Sequence, residues 1–405
     1  MRTLVFIFLL GFISATSFGQ TILWEEDFED EANNAVTQNG PSVGGTLGGT
    51  WSVTTTPSGG VPSFSRQAYN FDLWFFGCFT LTTVNIFQMN QTGATEGVWQ
   101  SNVINISALG DVALEIDLGV YGGSASDYVR CFYKIDGGPE IQFGELTGGD
   151  GVRELANTQS AIINGNTVQI VVRGRETTAG NVLCGSPHVM GFDNVRLTDI
   201  TSLYSIADGN WNNSNTWSYT GYGGTTCSPC LPSSDTKVFI GNNRTVNFNV
   251  EGDAVEVNVE NTGRLQWTAN NIDLNIQRGG SVNISSGGTL TLNGNAGAQI
   301  DFDPAYSNSI SVAAGGNLTI GAIDINGSSS LTITGGGAFT VNDDFLIGSN
   351  NAVVTNNMTG VLNIMDQLNF EADGIDFINN GAVMNVLGAT GIVFTGDNNL
   401  LDNTS

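Results

Sequence analysis

The chain has 405 residues, a formal net charge of −26 at pH 7, and only 12% charged residues. Its 12 Lys and Arg residues are outnumbered by 38 Asp and Glu residues, which argues against nucleic-acid binding because that binding needs cations to displace phosphate counterions. The 54 glycines, and the lack of a sustained apolar period of 3.6 residues, predict an all-β protein with very little helix.

Residues 1–19 have the pattern of a signal peptide. Arg2 supplies the positive start, and the apolar run from Leu4 to Ile13 is too short to span a bilayer. Ser17 and Gly19 are the small residues expected before a cleavage site. No later run is long enough for a transmembrane helix. The mature chain is therefore predicted to be secreted or held at the cell surface without spanning the membrane.

Residues 20–200 predict an antiparallel β-sandwich. Apolar and polar residues alternate in short runs such as Val112 to Leu118 and Thr167 to Arg173. Gly, Asp and Asn separate these runs, as at Asp136-Gly137-Gly138. About nine or ten short strands joined by such turns are typical of a sandwich.

The two ends of this domain carry a resemblance. Glu26-Asp27-Phe28-Glu29 and Phe192-Asp193-Asn194-Val195 resemble the ends of jelly-roll, lectin-like modules of secreted proteins, MAM domains among them. The resemblance implies that the first and last strands pair, and that Asp27, Glu29 and Asp193 hold a structural calcium ion through hard oxygen ligands. The alternative is that Asp193-Asn194 only makes a turn and Glu29 is exposed.

Three consecutive aromatic residues, Trp74, Phe75 and Phe76, are candidates for carbohydrate contact. Successive side chains of a strand point to opposite faces, so such a run exposes at least one ring unless both faces are buried. The alternative is that all three rings belong to the core.

The five cysteines are an odd number, and disulfides are the default in an exported protein. Cys227 and Cys230 predict a local structural disulfide in a loop. A second CxxC is absent and the only histidine, His188, is far away in sequence, which disfavours a zinc or redox site. Oxidation of Cys184 likewise disfavours a nucleophilic Cys184–His188 pair.

Residues 201–244 predict a cap on a β-helix. The spacing of Trp211 and Trp217, followed by Pro232 to Ile240, resembles the G8-like segment that precedes β-helices in large exported proteins of Bacteroidetes-type bacteria. The resemblance implies that both tryptophans cover the first coil, because the end of a solenoid must be covered. Their alternative use is as platforms for stacking sugars.

Residues 245–405 predict a parallel β-helix. A glycine followed by two apolar residues two positions apart recurs, and Leu290 and Leu318 lie 28 residues apart while Leu362 and Val383 lie 21 apart. Stacked units of this kind bury a continuous core, with Thr and Asn in outward ladders. The residues predicted to face inward are Val282, Ile284, Leu290, Leu292, Leu318 and Ile320.

An enzymatic β-helix is the alternative to a binding protein. Asn342-Asp343-Asp344 resembles the paired aspartates of polygalacturonase-like hydrolases, but the region has no histidine, and no Lys or Arg follows Arg278. Turns are the expected location of the other aspartates, which are Asp301, Asp303, Asp324, Asp366, Asp373 and Asp376.

The sequence therefore predicts a non-enzymatic, adhesin-like protein with a calcium-stabilised jelly-roll domain that binds a glycan or a surface. The β-helix would be its rigid stalk. The alternative is a polysaccharide-degrading hydrolase or lyase with an accessory carbohydrate-binding domain. Residues 400–405 show no obvious cap, so the chain is expected to be a fragment or to associate end to end.

Overall fold

The structure, a computed structural model, describes residues 22–28, 39–41, 44–55, 63–72, 80–90, 96–121, 123–149, 153–176, 189–291, 298–302, 306–325, 330–381 and 383–403. Within these ranges there is no α-helix, and the one helical segment is a 3₁₀ turn at Ser214–Thr216. The prediction of an all-β protein is confirmed. The same ranges hold no helix with the length and apolarity needed to cross a bilayer.

The N-terminal part is built from antiparallel strands. They are β1 (Ile22–Glu26), β2 (Asn39–Pro41), β3 (Thr50–Thr55), β4 (Ser63–Asp72), β5 (Thr80–Asn90), β6 (Gly97–Ser101), β7 (Ile104–Asn105), β8 (Val112–Tyr121), β9 (Tyr128–Ile135), β10 (Ile141–Thr147), β11 (Arg153–Ile163), β12 (Thr167–Arg175) and β13 (Val189–Asp199).

These strands form two sheets. The first has the order β11-β8-β13-β5-β4, with β1 also paired to β13. The second has the order β10-β9-β12-β6-β3-β2, with β7 also paired to β12. Glu26 of β1 lies opposite Val195 of β13, so the first and last strands pair as the jelly-roll resemblance implies. β10 and β11 are end strands, one in each sheet.

Aromatic rings fill much of the core between the two sheets. Phe28 stacks on Phe87 with ring centroids 4.2 Å apart, and Trp51 and Trp99 pack edge-on against Phe28. Burying one such side chain contributes roughly 2–3 kcal/mol of transfer free energy. Glu26 is fully buried beside them, and its carboxylate accepts hydrogen bonds from the Phe28 N–H at 2.8 Å and the Trp51 indole N–H at 2.9 Å.

The C-terminal part is a parallel β-helix of about seven coils. Its strands are β14 (Thr201–Ser205), β15 (Gly209–Asn210), β16 (Trp217–Ser218), β17 (Thr236–Ile240), β18 (Thr245–Phe248), β19 (Gly252–Val259), β20 (Arg264–Trp267), β21 (Asp273–Ile284), β22 (Thr289–Thr291), β23 (Gln299–Phe302), β24 (Ser307–Val312), β25 (Asn317–Ile320), β26 (Ala322–Ile325), β27 (Ser330–Gly335), β28 (Ala338–Val341), β29 (Phe345–Ile347), β30 (Val353–Met358), β31 (Val361–Ile364), β32 (Leu368–Phe370), β33 (Asp376–Asn379), β34 (Val383–Val386), β35 (Ile392–Phe394) and β36 (Leu400–Asn403).

Each coil contributes strands to three faces, and the long strands β19 and β21 each serve two of them. Face 1 contains β14, β17, the second halves of β19 and β21, and then β24, β27, β30, β33 and β36. Face 2 contains β15, β18, β20, β22, β25, β28, β31 and β34. Face 3 contains the first halves of β19 and β21, and then β23, β26, β29, β32 and β35. The stacking of parallel strands begins with β14 at Thr201. This strand lies inside residues 201–244, the segment predicted as a cap.

Alternate residues of these strands point into one dry column. The described residues that were predicted to face inward are at most 1% exposed, and they are Val282, Ile284, Leu290, Leu318 and Ile320. Leu292 lies outside the described residues. Because every inward residue stacks on its equivalent in the neighbouring coil, the coils share a single core that no coil could form alone.

The column on face 1 changes from aliphatic to amide side chains. Ile333 of β27 aligns with Asn356 of β30, which aligns with Asn379 of β33. Asn356 Nδ2 donates to Asn379 Oδ1 at 2.7 Å, and Asn379 Nδ2 donates to Asn403 Oδ1 at the same distance. Asn356 and Asn379 are at most 3% exposed, so this ladder lies inside the β-helix, in addition to the outward ladders that the sequence predicts.

Outward polar ladders are present as well. Asn385 donates to Asn363 one coil earlier at 2.9 Å, and Gln266 donates to Asn247 at 2.7 Å. These side chains are part-buried or exposed, so their amides can also exchange hydrogen bonds with water. They therefore contribute less to stability than the buried ladder.

The two ends of the column differ. Trp211 and Trp217 are buried at the first coil, where their rings are 5.7 Å apart and Trp211 also packs on Phe248. Both rings belong to the core of the β-helix, so neither is an exposed platform for sugars. At the last coils, by contrast, several apolar side chains are 38–58% exposed, and they are Val383, Leu387, Ile392, Phe394 and Leu400.

Asn379→Ala is expected to lower the free energy of unfolding by about 3 kcal/mol, because it removes the middle of the buried ladder and leaves the Asn356 amide without its acceptor. Urea unfolding followed by tryptophan fluorescence measures the loss. Asn385→Ala is the matched control in an outward ladder and should lose less than about 1 kcal/mol. Equal losses in the two variants would contradict the buried role of Asn379.

Candidate functional site

The sandwich contacts the β-helix at a local insertion in β21. Ala254 of β19 pairs with Ile276, and Glu256 pairs with Ser281, so Gln277 to Gly280 lie opposite the single residue Val255. The additional residues form a bulge, called here the Arg278 bulge, in which Arg278 and Gly279 have φ values of 58° and 67°. A Cβ on Gly280 would lie 1.6 Å from the Val255 carbonyl oxygen, so this close approach requires glycine.

Arg278 projects from this bulge into the surface of the sandwich. Its Nε lies 3.2 Å from Glu115 Oε1 on β8, and its Nη1 lies 2.5 Å from Asp235 Oδ1 and donates to Thr198 Oγ1 at 3.3 Å. Arg278 is only 9% exposed. Burial raises the pKa of Glu115, and the charge of Arg278 offsets part of that rise. The guanidinium therefore neutralises acidic groups from both parts of the chain.

A second cation and an apolar cluster complete this joint. Lys237 Nζ on β17 lies 2.7 Å from Asp111 Oδ2 and 2.9 Å from Glu256 Oε2. Burial by itself raises the pKa of Asp111, but the hydrogen bonds from Lys237 and Asn164, together with the charge of Lys237, outweigh it and the pKa is lowered. The apolar cluster consists of Ala113, Ile162, Ile200 and Val255. Charged and apolar contacts together fix the sandwich to the solenoid.

A cleft of about 560 Å³ opens beside the joint. Residues of β10 and β11 line its sandwich side, and the Arg278 bulge and Tyr306 line its solenoid side. The Tyr306 hydroxyl donates to the Thr158 carbonyl at 3.2 Å, which fixes the ring across the joint. The cleft therefore lies between two parts that are held in one geometry.

Face 3 carries a column of acidic residues. Asp301 on β23 lies between Asn275 on β21 and Asp324 on β26. Burial raises the pKa of Asp301 to about 6, with further contributions from Asp273 and Asp324. Asp301, Asp324 and Asp376 are in strands, so the expectation that they lie in turns is wrong for these three. An acid whose pKa is near neutrality beside a second carboxylate can donate or accept a proton.

A second acidic group lies where face 2 turns into face 3. Carboxylate oxygens of Asp343, Asp344 and Asp366 lie within 4.8 Å of one another, which is close enough to hold a cation. Burial raises the pKa of Asp344, and Asp343 and Asp366 add to the rise. The paired aspartates singled out in the sequence are thus joined by Asp366 from the next coil.

The implied calcium ligands are only partly described. Asp193 lies at a bulge in β13, where its Oδ1 accepts a hydrogen bond from the Asn194 N–H at 2.9 Å. This is a continuous strand and not a turn. The pairing of Glu26 with Val195 places the backbone of Asp27, which follows β1, near Asn194 of β13. Glu29 lies outside the described residues.

The other predicted site residues are cysteines and aromatic residues. Cys227 and Cys230 form the predicted disulfide, with their Cα atoms 5.6 Å apart. Cys131 is a buried free thiol whose pKa burial raises well above its usual value. The candidates for carbohydrate contact lie outside the described residues, and they are Trp74, Phe75 and Phe76.

Sequence reasoning missed the joint and its cleft. Arg278 is the last cation of the chain and precedes two glycines, and these two facts together could have marked it as a special position. No local signal indicates its partner Glu115 or the position of Tyr306, because those contacts form only when the two parts of the chain pack together.

No protein-family model matches the chain, and no curated protein matches it. Among solved structures, a Paenibacillus sp. cycloisomaltooligosaccharide glucanotransferase complexed with cycloisomaltoheptaose is 7% identical, with a TM-score of 0.18. The match covers 46% of this chain and 19% of that one. The Agl-KA catalytic domain is 9% identical, with a TM-score of 0.17, and the match covers 77% of this chain and 70% of that one. These likenesses are too slight to bear on fold or function.

Arg278→Ala is expected to lower the free energy of unfolding by about 3 kcal/mol at pH 7, because Glu115 and Asp235 lose the countercharge of this buried guanidinium. The loss should shrink towards pH 4, where a protonated Glu115 needs no countercharge. Urea unfolding of the natural protein and the variant at pH 7 and pH 4 measures the loss of stability. Arg264→Ala, an exposed cation on β20, is the control and should change stability by less than about 0.5 kcal/mol. A loss independent of pH would contradict the role of the ion pair.

Asp301→Asn is expected to stabilise the protein by about 1 kcal/mol at pH 7, after allowance for solvent screening. The folded pKa of Asp301 is about 6 against an ordinary value of 3.8, so the folded state binds more protons between those values. The contribution of Asp301 to stability therefore falls as pH rises from about 4 to about 6, and the variant lacks this contribution. Thermal unfolding across this range measures the difference.

The control for that experiment is Asp402→Asn, on the last strand of face 1 and away from the acidic column. Its effect on stability at pH 7 should be smaller than that of Asp301→Asn. If Asp301→Asn behaved in the same way, the acidic column would not be the source of the shifted pKa.

Proposed function

We propose that this protein is an exported, non-enzymatic, adhesin-like protein whose β-sandwich binds a glycan or a surface while the β-helix serves as a rigid support. The observation that carries the proposal is the joint. Arg278 and Lys237 of the solenoid form ion pairs with Glu115 and Asp111 of the sandwich. A binding domain held rigidly at the end of a support gains affinity, because a fixed orientation reduces the entropy lost on binding.

Export is part of the proposal and rests on the predicted signal peptide at residues 1–19. The disulfide between Cys227 and Cys230 supports it, because disulfides persist in oxidising compartments. The mature protein would be secreted or retained at the cell surface.

A structural calcium ion belongs to the same proposal. Asp27 and Asp193 would hold it from the paired strands β1 and β13, with Glu29 as a third ligand. Their carboxylate oxygens are the ligand type that calcium prefers. When bound, the ion would tie the two chain ends of the sandwich together.

A glycan array probed with residues 20–405 tests the proposal, once with calcium and once with a chelator. The expected result is binding to at least one glycan, reduced by chelation and restored by added calcium. Asp193→Ala should bind without a calcium response. The control Asp343→Ala removes a carboxylate of the solenoid group and should respond like the natural protein. No binding to any glycan or host surface by the natural protein would overturn the proposal.

A polysaccharide-degrading enzyme is the second candidate, and the acidic column favours it. Asp301, with a pKa of about 6, and Asp324 on the next coil are carboxylates of the kind that serve as acid and base in glycoside hydrolysis. Incubating the same glycans with the protein and measuring new reducing ends or unsaturated products separates the two candidates. If the protein cleaves a glycan, and Asp301→Asn or Asp344→Ala abolishes this cleavage, the protein is an enzyme. The adhesin proposal would then be rejected.

A further inference from the structure

The cleft at the joint contains a buried hydroxyl without a partner. Ser160 on β11 is 9% exposed, its Oγ makes no hydrogen bond, and the residue lines the cleft. Buried polar side chains are almost always hydrogen-bonded, and an orphaned hydroxyl in a cleft is a place where a ligand atom can bond. β10 and β11 are also end strands of their sheets, so backbone N–H and C=O groups face the same space.

Two aromatic rings form the apolar part of the cleft. Phe143 occupies a register irregularity of β10 between Gln142 and Gly144, and such bulges turn a side chain away from its regular direction. Its ring is half-buried and lies 5.9 Å from the ring of Tyr133. Tyr306 comes from the solenoid and is fixed by its hydroxyl. Rings held in this way offer flat apolar faces with hydrogen-bonding groups beside them.

The charges in the cleft are already compensated. Arg278 is paired with Glu115 and Asp235. Glu145 is paired with Arg130 at 2.9 Å and accepts a hydrogen bond from Gln142 Nε2 at 3.0 Å. An anionic ligand would therefore meet no cation that lacks a partner in the described lining, and it would approach a chain whose net charge is −26. Uncharged ligands are favoured.

We propose that this cleft binds a short neutral oligosaccharide, with Phe143 and Tyr306 stacking on the apolar faces of the sugars. Ser160 Oγ and Gln142 would hydrogen-bond to sugar hydroxyls. The volume of about 560 Å³ falls within the roughly 300–1,000 Å³ that is usual for ligand sites. The inference rests on the proposed glycan-binding function and assigns its site to the joint in place of the candidates Trp74, Phe75 and Phe76.

An extended peptide is the competing occupant of an open strand edge. The irregularity at Phe143 interrupts the regular spacing of hydrogen-bonding groups along β10, which disfavours the addition of a strand there. The Arg278 bulge and Tyr306 also line the space alongside these edges, where an added strand would have to lie. Rings and isolated hydroxyls suit a sugar better than a peptide backbone.

The test uses residues 20–405 and isothermal titration with cello-, malto-, xylo- and manno-oligosaccharides, with oligogalacturonate as the anionic comparison. At least one neutral series is expected to bind. Phe143→Ala should weaken that binding about tenfold by loss of stacking, and Ser160→Ala about fivefold by loss of a hydrogen bond. Tyr219→Ala, which removes a tyrosine that is 50% exposed on the cap segment, should bind like the natural protein.

Hydrogen–deuterium exchange of the natural protein provides a measurement that needs no variant. The bound oligosaccharide should protect residues 142–145 and 158–162 from exchange. Unchanged affinity in folded Phe143→Ala and Ser160→Ala, or protection elsewhere, would overturn the inference and leave the proposed function standing. Preference for oligogalacturonate or for an extended peptide would also overturn it. If the natural protein bound no glycan on the array, the proposed function would fail as well.

Discussion

Register between neighbouring coils is the constraint on which the rest of this structure depends. Each coil satisfies its backbone hydrogen bonds through the coils before and after it, and each inward side chain stacks on its equivalent one coil away. A residue inserted within a strand would shift every following side chain to the wrong face. Extra residues are therefore tolerated only where one face turns into the next. The Arg278 bulge lies at such a corner, between the two halves of β21, and it leaves both halves in register with β19.

The same constraint accounts for the buried asparagines. A polar residue at an inward position is costly when its amide is unsatisfied. In register, however, Asn356 donates to Asn379 on the next coil and Asn379 donates to Asn403, so Asn379 is both acceptor and donor along the axis. The Asn379 Oδ1 also accepts a hydrogen bond from the Gly381 N–H at 3.3 Å, which ties the ladder to the backbone. A ladder of this kind specifies register more sharply than aliphatic side chains, since a shifted coil would leave buried amides without partners.

Charge is distributed unevenly along the molecule. Cations occur in the sandwich, at the joint and in the first coils, and none follows Arg278. The two cations at the joint hold the domains together and compensate carboxylates that would otherwise be buried alone. Further along face 3 no such compensation exists, so burial and neighbouring acids raise the pKa of Asp301. The neutral cleft and the acidic column are thus different chemical environments, and they correspond to the two functional candidates, binding and catalysis.

Alternation of apolar and polar residues was enough to predict the sandwich, the β-helix and inward residues such as Val282 and Leu318, because side-chain direction in a strand is a local property. The disulfide followed from two cysteines three residues apart. The inward position of Asn356 was not predictable, since its amide is acceptable there only beside Asn379 on the next coil. The partners of Arg278, the orphaned Ser160 hydroxyl and the strand position of Asp301 likewise depend on packing between segments distant in sequence. Contacts of that kind exist only after the sandwich and the coils have assembled, so no local pattern records them.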